Sequence, residues 1–212
     1  MKNDYTHISM VIDRSGSMSS CWNDVVGGYE QIVKENKAVA GVCTFTVAAF
    51  DTEYELIEDF TDIQKVNEKL SVRPRGGTAL LDAIGKTIVS VGEKLAKMPE
   101  KDRPHRVMMY ILSDGEENSS KEFKKADIEK MIKAQESEYS WVFNYVGATL
   151  ASVNDAVSFG IKSSNATFYN AANTGNTFAV LGEKMLNMRS VSNEQYAATC
   201  MWSEEEKDSL KS

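Results

Sequence analysis

The chain has 212 residues, 42% of them hydrophobic and 26% charged, which is enough apolar material for one sizeable α/β core and cramped for two domains. A formal net charge of -7 sets the surface against nucleic acid and anionic membranes as main partners, because both repel it. Cys21, Cys43 and Cys200 are odd in number and far apart, which outlines no disulfide framework and no metal knuckle and points to a reducing, cytoplasmic setting. The first residues lack the long apolar core of a secretory signal, and no segment reaches the roughly 18 to 20 apolar residues of a membrane span.

Residues 6–12 read as a buried strand that delivers Asp13-Arg14-Ser15-Gly16-Ser17 to a tight loop, and residues 23–38 carry Val25, Val26, Tyr29, Ile32 and Val33 at helical spacing. Residues 42–50 and 53–57 form two β-rich runs around Asp51-Thr52, a predicted hairpin whose second strand runs antiparallel. A short helical piece over 63–70 precedes Pro74 and Gly76-Gly77, after which Thr78 opens a helix over 79–97. The apolar run 107–112 predicts a strand covered on both faces, ending in Ser113-Asp114-Gly115. Beyond it the pattern predicts a helix over 121–138, a strand over 141–146, a short helix over 152–159, a short strand over 167–169 and a helix over 174–188. Ser203 with Glu206 matches a capping box, so the tail predicts one more short helix. The alternation predicts one α/β domain over residues 4–190, doubly wound, with a mainly parallel central sheet, one antiparallel edge strand and helices on both faces. Residues 191–212 read as an acidic C-terminal extension.

Asp13, Ser15 and Ser17, then Thr78, then Asp114 offer oxygen donors on three separate loops. If the strand order reverses between the first strand and the one ending at Leu112, both aspartates meet in the crevice at the switch point. Two carboxylates and three hydroxyls suit a hard divalent ion such as Mg or Mn. Taken alone, the Asp-x-Ser-x-Ser run is equally an Asx turn and helix cap.

In this order and these contexts, Asp13-x-Ser15-x-Ser17, Gly77-Thr78 and Ser113-Asp114-Gly115 resemble the metal-ion-dependent adhesion site of the von Willebrand factor type A family. The resemblance spans roughly residues 5–190. The stretch from Arg73 to Ile84 is similar to stand-alone bacterial and phage members, including those associated with tellurite resistance. It implies a Rossmann-like fold. It implies a Mg or Mn ion held by Asp13, Ser15, Ser17, Thr78 and Asp114, directly or through water. It also implies a binding module, not an enzyme, in which an acidic residue of a protein partner completes the coordination.

Around that centre, Arg14, Arg73 and Arg75 are candidate grips for an acidic partner, Trp22 a candidate exposed contact, and Cys21 a thiol to test for reactivity. Glu116 is a further candidate partner contact, and Glu116, Glu117 and Asn118 either hold water near the metal or simply belong to an acidic first helical turn. His7 and His105 start neighbouring strands and are expected to pair or pack; six residues before Asp13, His7 lies on the order of 20 Å from the crevice. Two rival readings stand beside the adhesion module. A haloacid-dehalogenase-like phosphohydrolase would use Asp13 as nucleophile, but it needs an acid/base Asp two residues later, where this chain has Ser15. The other is an interaction protein with a purely structural metal.

Overall fold

A computed structural model describes residues 2–170 and 174–211. Its centre is a long strand, β1 (Lys2–Asp13), flanked on both sides by parallel neighbours, β2 (Val42–Phe50) and β4 (Pro104–Ser113). β3 (Tyr54–Asp62) pairs antiparallel with β2 at one edge, while β5 (Val142–Gly147) and β6 (Ala166–Phe168) extend the sheet in parallel on the other side. The order β3-β2-β1-β4-β5-β6 is the doubly wound arrangement expected, with the winding direction reversing between β1 and β4.

Side-chain alternation on β1 explains the two cores. Ile8, Met10 and Ile12 face α1 (Trp22–Ala38) and α5 (Thr174–Ser190), whereas Val11 faces α2 (Leu80–Lys97), α3 (Lys125–Tyr139) and α4 (Leu150–Ser158). Met108, Met109, Met185 and Met188 fill these cores, and Trp141 and Trp202 are buried in them. α1 and α5 approach so closely that a Cβ on Gly28 would lie 2.1 Å from the Phe178 ring, while one on Gly27 would meet nothing within 4 Å. Gly28→Ala therefore lowers stability by about 2 kcal/mol despite the better helix propensity of alanine, and Gly27→Ala raises it by up to about 1 kcal/mol. Paired urea titrations check this contrast; equal shifts in the two variants would contradict the close α1–α5 contact.

Three local expectations need correction. The helical piece over 63–70 is only a three-residue turn, Ile63–Lys65. Val66 and Leu70 do reach the α1-side core, but from irregular chain, because the Asn67 side chain accepts the Lys69 amide and the Asn67 carbonyl accepts the Tyr29 hydroxyl. The helix expected from 121 begins at Lys125, since the Asp82 carboxylate of α2 takes the Lys121, Glu122 and Phe123 amides. The tail carries two helices, α6 (Asn193–Cys200) and α7 (Glu204–Lys211), not one. α6 spreads Tyr196, Ala197, Ala198 and Cys200 around its axis, so it gives no apolar period to read.

His7 and His105 do not pair. His7 sits beside Val107 in the register and is fully buried, its ring stacked 4.1 Å from Phe60 and bonded to Thr44 Oγ1 and Ser9 Oγ. His105 bonds to the Asn193 side chain. The tail is part of the packed body: Cys200, Trp202 and Leu210 enter the α1-side core, and the buried Lys184 ammonium of α5 donates to the Thr199 and Met201 carbonyls and to Glu206. Residue 212 of the expected extension lies outside the described residues. Among those described, no helix is long and apolar enough to cross a membrane.

Candidate functional site

The register places Ile12 beside Leu112, so the chain leaves β1 at Asp13 and β4 at Ser113 side by side on the carboxyl edge of the sheet. Asp13 is fully buried there. Its Oδ1 accepts the Ser15 amide at 2.7 Å and its Oδ2 accepts the Ser113 hydroxyl at 2.5 Å. The Ser15 and Ser17 hydroxyls lie 2.9 Å apart, and Ser17 Oγ donates to Asp114 Oδ1 at 2.7 Å. Two of the three loops thus meet through direct hydrogen bonds.

The third loop brings Thr78. Its amide donates to Asn118 Oδ1 at 2.9 Å, and its carbonyl accepts the amides of Asn118 and Ser119, which clamps Thr78 against the segment after β4. A Cβ on Gly115 would stand 2.8 Å from Thr78 Oγ1 and 3.6 Å from Asp13 Oδ2, so the hydroxyl and the carboxylate flank one small space that glycine leaves open. All five predicted positions, Asp13, Ser15, Ser17, Thr78 and Asp114, converge on this edge.

The electrostatics suit a cation. Burial, opposed by the bonds from Ser113 and Ser15, pushes the Asp13 carboxyl up to about 6, and burial raises Asp114 as well. The Tyr169 hydroxyl is buried with no hydrogen-bond partner among the described residues; burial above all, with the fields of Cys21, Asp114 and Asp13 adding to it, keeps it protonated. Among the described residues no group of three His, Cys, Asp or Glu side chains gathers, so the donors here are two carboxylates and three hydroxyls, all hard oxygens.

The flanking candidates fare differently. Arg14 is buried, not a free grip: its Nε lies 2.9 Å from Asp51 Oδ2, and its Nη1 donates to Glu55. Arg75 is more exposed but also bound internally, to Asp51 Oδ2 at 2.8 Å and Glu53 at 2.7 Å. Burial works to raise the Asp51 carboxyl, yet Arg75, the Glu53 amide and Arg14 hold it below the usual range. Trp22 is buried as well, its indole N–H donating to the Val72 carbonyl at 3.1 Å. Glu116 is exposed, but on a loop and not in a first helical turn, as are Glu117 and Asn118. Glu117 accepts the Leu81, Ser119 and Ser120 amides and so caps the start of α2. Cys21 is buried, and burial raises its thiol, the reverse of what reactivity needs.

Sequence reasoning missed Ser113 as the second donor to Asp13, Asn118 as the clamp on Thr78, and Asp51 as an arginine hub. Ser113 ends, and Asp51 follows, a parallel strand next to β1, a position that could have flagged them; Asn118 was placed near the site but not as the partner of Thr78.

No family model matches the chain, and no curated protein does. Solved structures do match. The vWF domain of the type V pili tip protein Mfa5 from Porphyromonas gingivalis aligns over 89% of this chain and 97% of that one, at 13% identity and a TM-score of 0.64. The pilus adhesin SpaC from Lactobacillus rhamnosus GG aligns at 12% identity and a TM-score of 0.65, over 86% of this chain and 30% of that one. Proximal thread matrix protein 1 from the mussel byssus, with a zinc-occupied MIDAS motif, aligns at 16% identity and a TM-score of 0.59 over 86% of this chain. The chain spans 46% of the length of that mussel protein. At these identities the likeness establishes the fold, and the fold is that of von Willebrand factor type A domains.

Proposed function

We propose that this protein is a metal-ion-dependent protein-binding module in which Asp13, Ser15, Ser17, Thr78 and Asp114 hold Mg or Mn, and an acidic residue of a protein partner completes the coordination. The observation that carries this reading is the meeting of two carboxylates and three hydroxyls from three loops at the switch point of the sheet, around the space that Gly115 leaves open. Each side chain has a definable part. Asp13 and Asp114 bring two negative charges, enough to neutralise a dication. Ser15, Ser17 and Thr78 add oxygens without further charge, so a bound cation would keep Lewis acidity for an incoming carboxylate. Ser113 and the Ser15 amide fix the direction of the Asp13 oxygens, and Asn118 fixes Thr78. The presence of a zinc-occupied MIDAS in a protein of the same fold supports a divalent ion at this edge.

Partner capture is the test. The immobilised protein retains its partner from the native source in Mg or Mn and releases it in excess chelator, and Asp13→Asn captures nothing in either buffer. Retention in chelator would favour a structural metal. Turnover of a generic phosphomonoester, lost in Asp13→Asn, would favour the phosphohydrolase instead.

A further inference from the structure

Of the six arginines in the chain, five have internal partners. Arg14 and Arg75 share Asp51, Arg103 donates to the Met98 carbonyl, Arg106 to the Met188 and Val191 carbonyls, and Arg189 to Asn36. Arg73 alone forms no hydrogen bond or ion pair among the described residues, and it is exposed. An unpaired guanidinium on a chain of net charge -7 is an attachment point for an anion.

Its surroundings are built for presentation. The strip that carries it is pinned at three places: the Trp22 indole donates to the Val72 carbonyl, the Arg75 amide to the Arg14 carbonyl at 2.8 Å, and the Gly16 amide to the Gly76 carbonyl at 3.1 Å. Arg73 therefore stands on a backbone held fast on both sides, one end of it bonded to the loop between Ser15 and Ser17. Beside it runs a groove of about 620 Å³ between that strip and the start of α1, with Trp22, Val26, Leu70 and Pro74 as apolar lining and Ser19 at its polar rim. The Ser19 hydroxyl donates to the Gly16 carbonyl at 2.7 Å, so the rim of the groove is bonded to the turn that carries the Ser15 and Ser17 hydroxyls.

We infer that this groove, with Arg73 at its side, is the second half of the partner site and selects an extended protein segment bearing two acidic residues. One carboxylate goes to the metal edge and the other to Arg73, with an apolar side chain between them over Val26 and Pro74. The inference rests on the reading of Asp13 to Asp114 as a metal-dependent partner site. It adds that charge complementarity at Arg73, and not coordination alone, chooses the partner.

The probe is an array of extended octapeptides with one Glu, or with two Glu at varied spacing around a Leu or Val, measured in Mn and in chelator. The wild-type protein binds the best two-Glu peptides at least tenfold more tightly than one-Glu peptides, only in Mn. Arg73→Ala loses that preference but keeps one-Glu binding and the Mn-induced thermal shift. Arg73→Glu turns the preference toward peptides that carry one Glu and one Lys, a gain that misfolding cannot imitate. A two-Glu preference that survives Arg73→Ala would overturn the inference, as would an intact Mn shift with no peptide bound. Absence of the Mn shift in the wild type would overturn the underlying metal reading, and the inference with it.

Discussion

Saturating Mg or Mn raises the melting temperature of the wild-type protein, and Asp13→Asn abolishes the rise. A ligand held at about 100 times its dissociation constant stabilises the native state by about 2.7 kcal/mol. In a chain of this size that corresponds to roughly 5 to 10 °C. The variant separates a metal ligand from a structural carboxylate by the sign of its effect without metal. Asparagine preserves an acceptor for the Ser15 amide and removes a charge whose burial is unfavourable, so metal-free Asp13→Asn melts at or above the chelated wild type at neutral pH. A carboxylate kept for stability would instead melt lower in both buffers. Protons and cations compete for the same oxygens, and the Asp13 carboxyl sits at about 6 without metal. The metal-dependent gain therefore shrinks as pH falls through 6, which differential scanning fluorimetry across pH 5 to 8 reads directly.

The second large effect lies midway along the same strand. His7 is fully buried, and desolvation, reinforced by the charge of Lys94, lowers its imidazole to about 3. In the unfolded chain it titrates near 6.5. Below 6.5 the unfolded state takes up a proton that the native state refuses until about 3, so stability is lost on acidification across that window and is fully present above it. At about 1.4 kcal/mol per pH unit the loss amounts to about 5 kcal/mol. His7→Gln flattens this acid limb relative to wild type while costing about 1 to 2 kcal/mol at neutral pH, because the bonds to Thr44 and Ser9 are imperfectly replaced. Urea titrations at pH 4, 5.5 and 7.5 measure both parts; parallel curves for the two proteins would show that His7 is protonated in the fold.

Strands β1, β2, β4 and β5 were legible because each rested on an apolar run, although β1 begins four residues before its run and β3 ends five residues beyond its own. Asp13 and Asp114 were legible because they sat where such runs stopped, and Thr78 because it followed a Gly-Gly break before a helix. The loops between them were misread for a common reason. Residues 121–123 have a helical pattern, but their amides belong to Asp82, nearly forty residues earlier. Arg14, Trp22 and Arg75 resemble free recognition groups in the sequence. Asp51 and the Val72 carbonyl, supplied by other loops, engage them.

What the sequence by itself determined is local: periodicities of two and 3.6, the turn residues, the residue types able to ligate a hard cation, and through their order a resemblance to a known fold. Each of these depends on near neighbours in the chain. Only the tertiary structure decided which charges remain free, since an ion pair forms between residues that the sheet brings together across dozens of positions. By that criterion Arg14 and Arg75 became internal braces and Arg73 remained the open guanidinium beside the site. It likewise decided that Asp13 is buried on the sheet edge beside Asp114, where burial raises both carboxyls above their usual range.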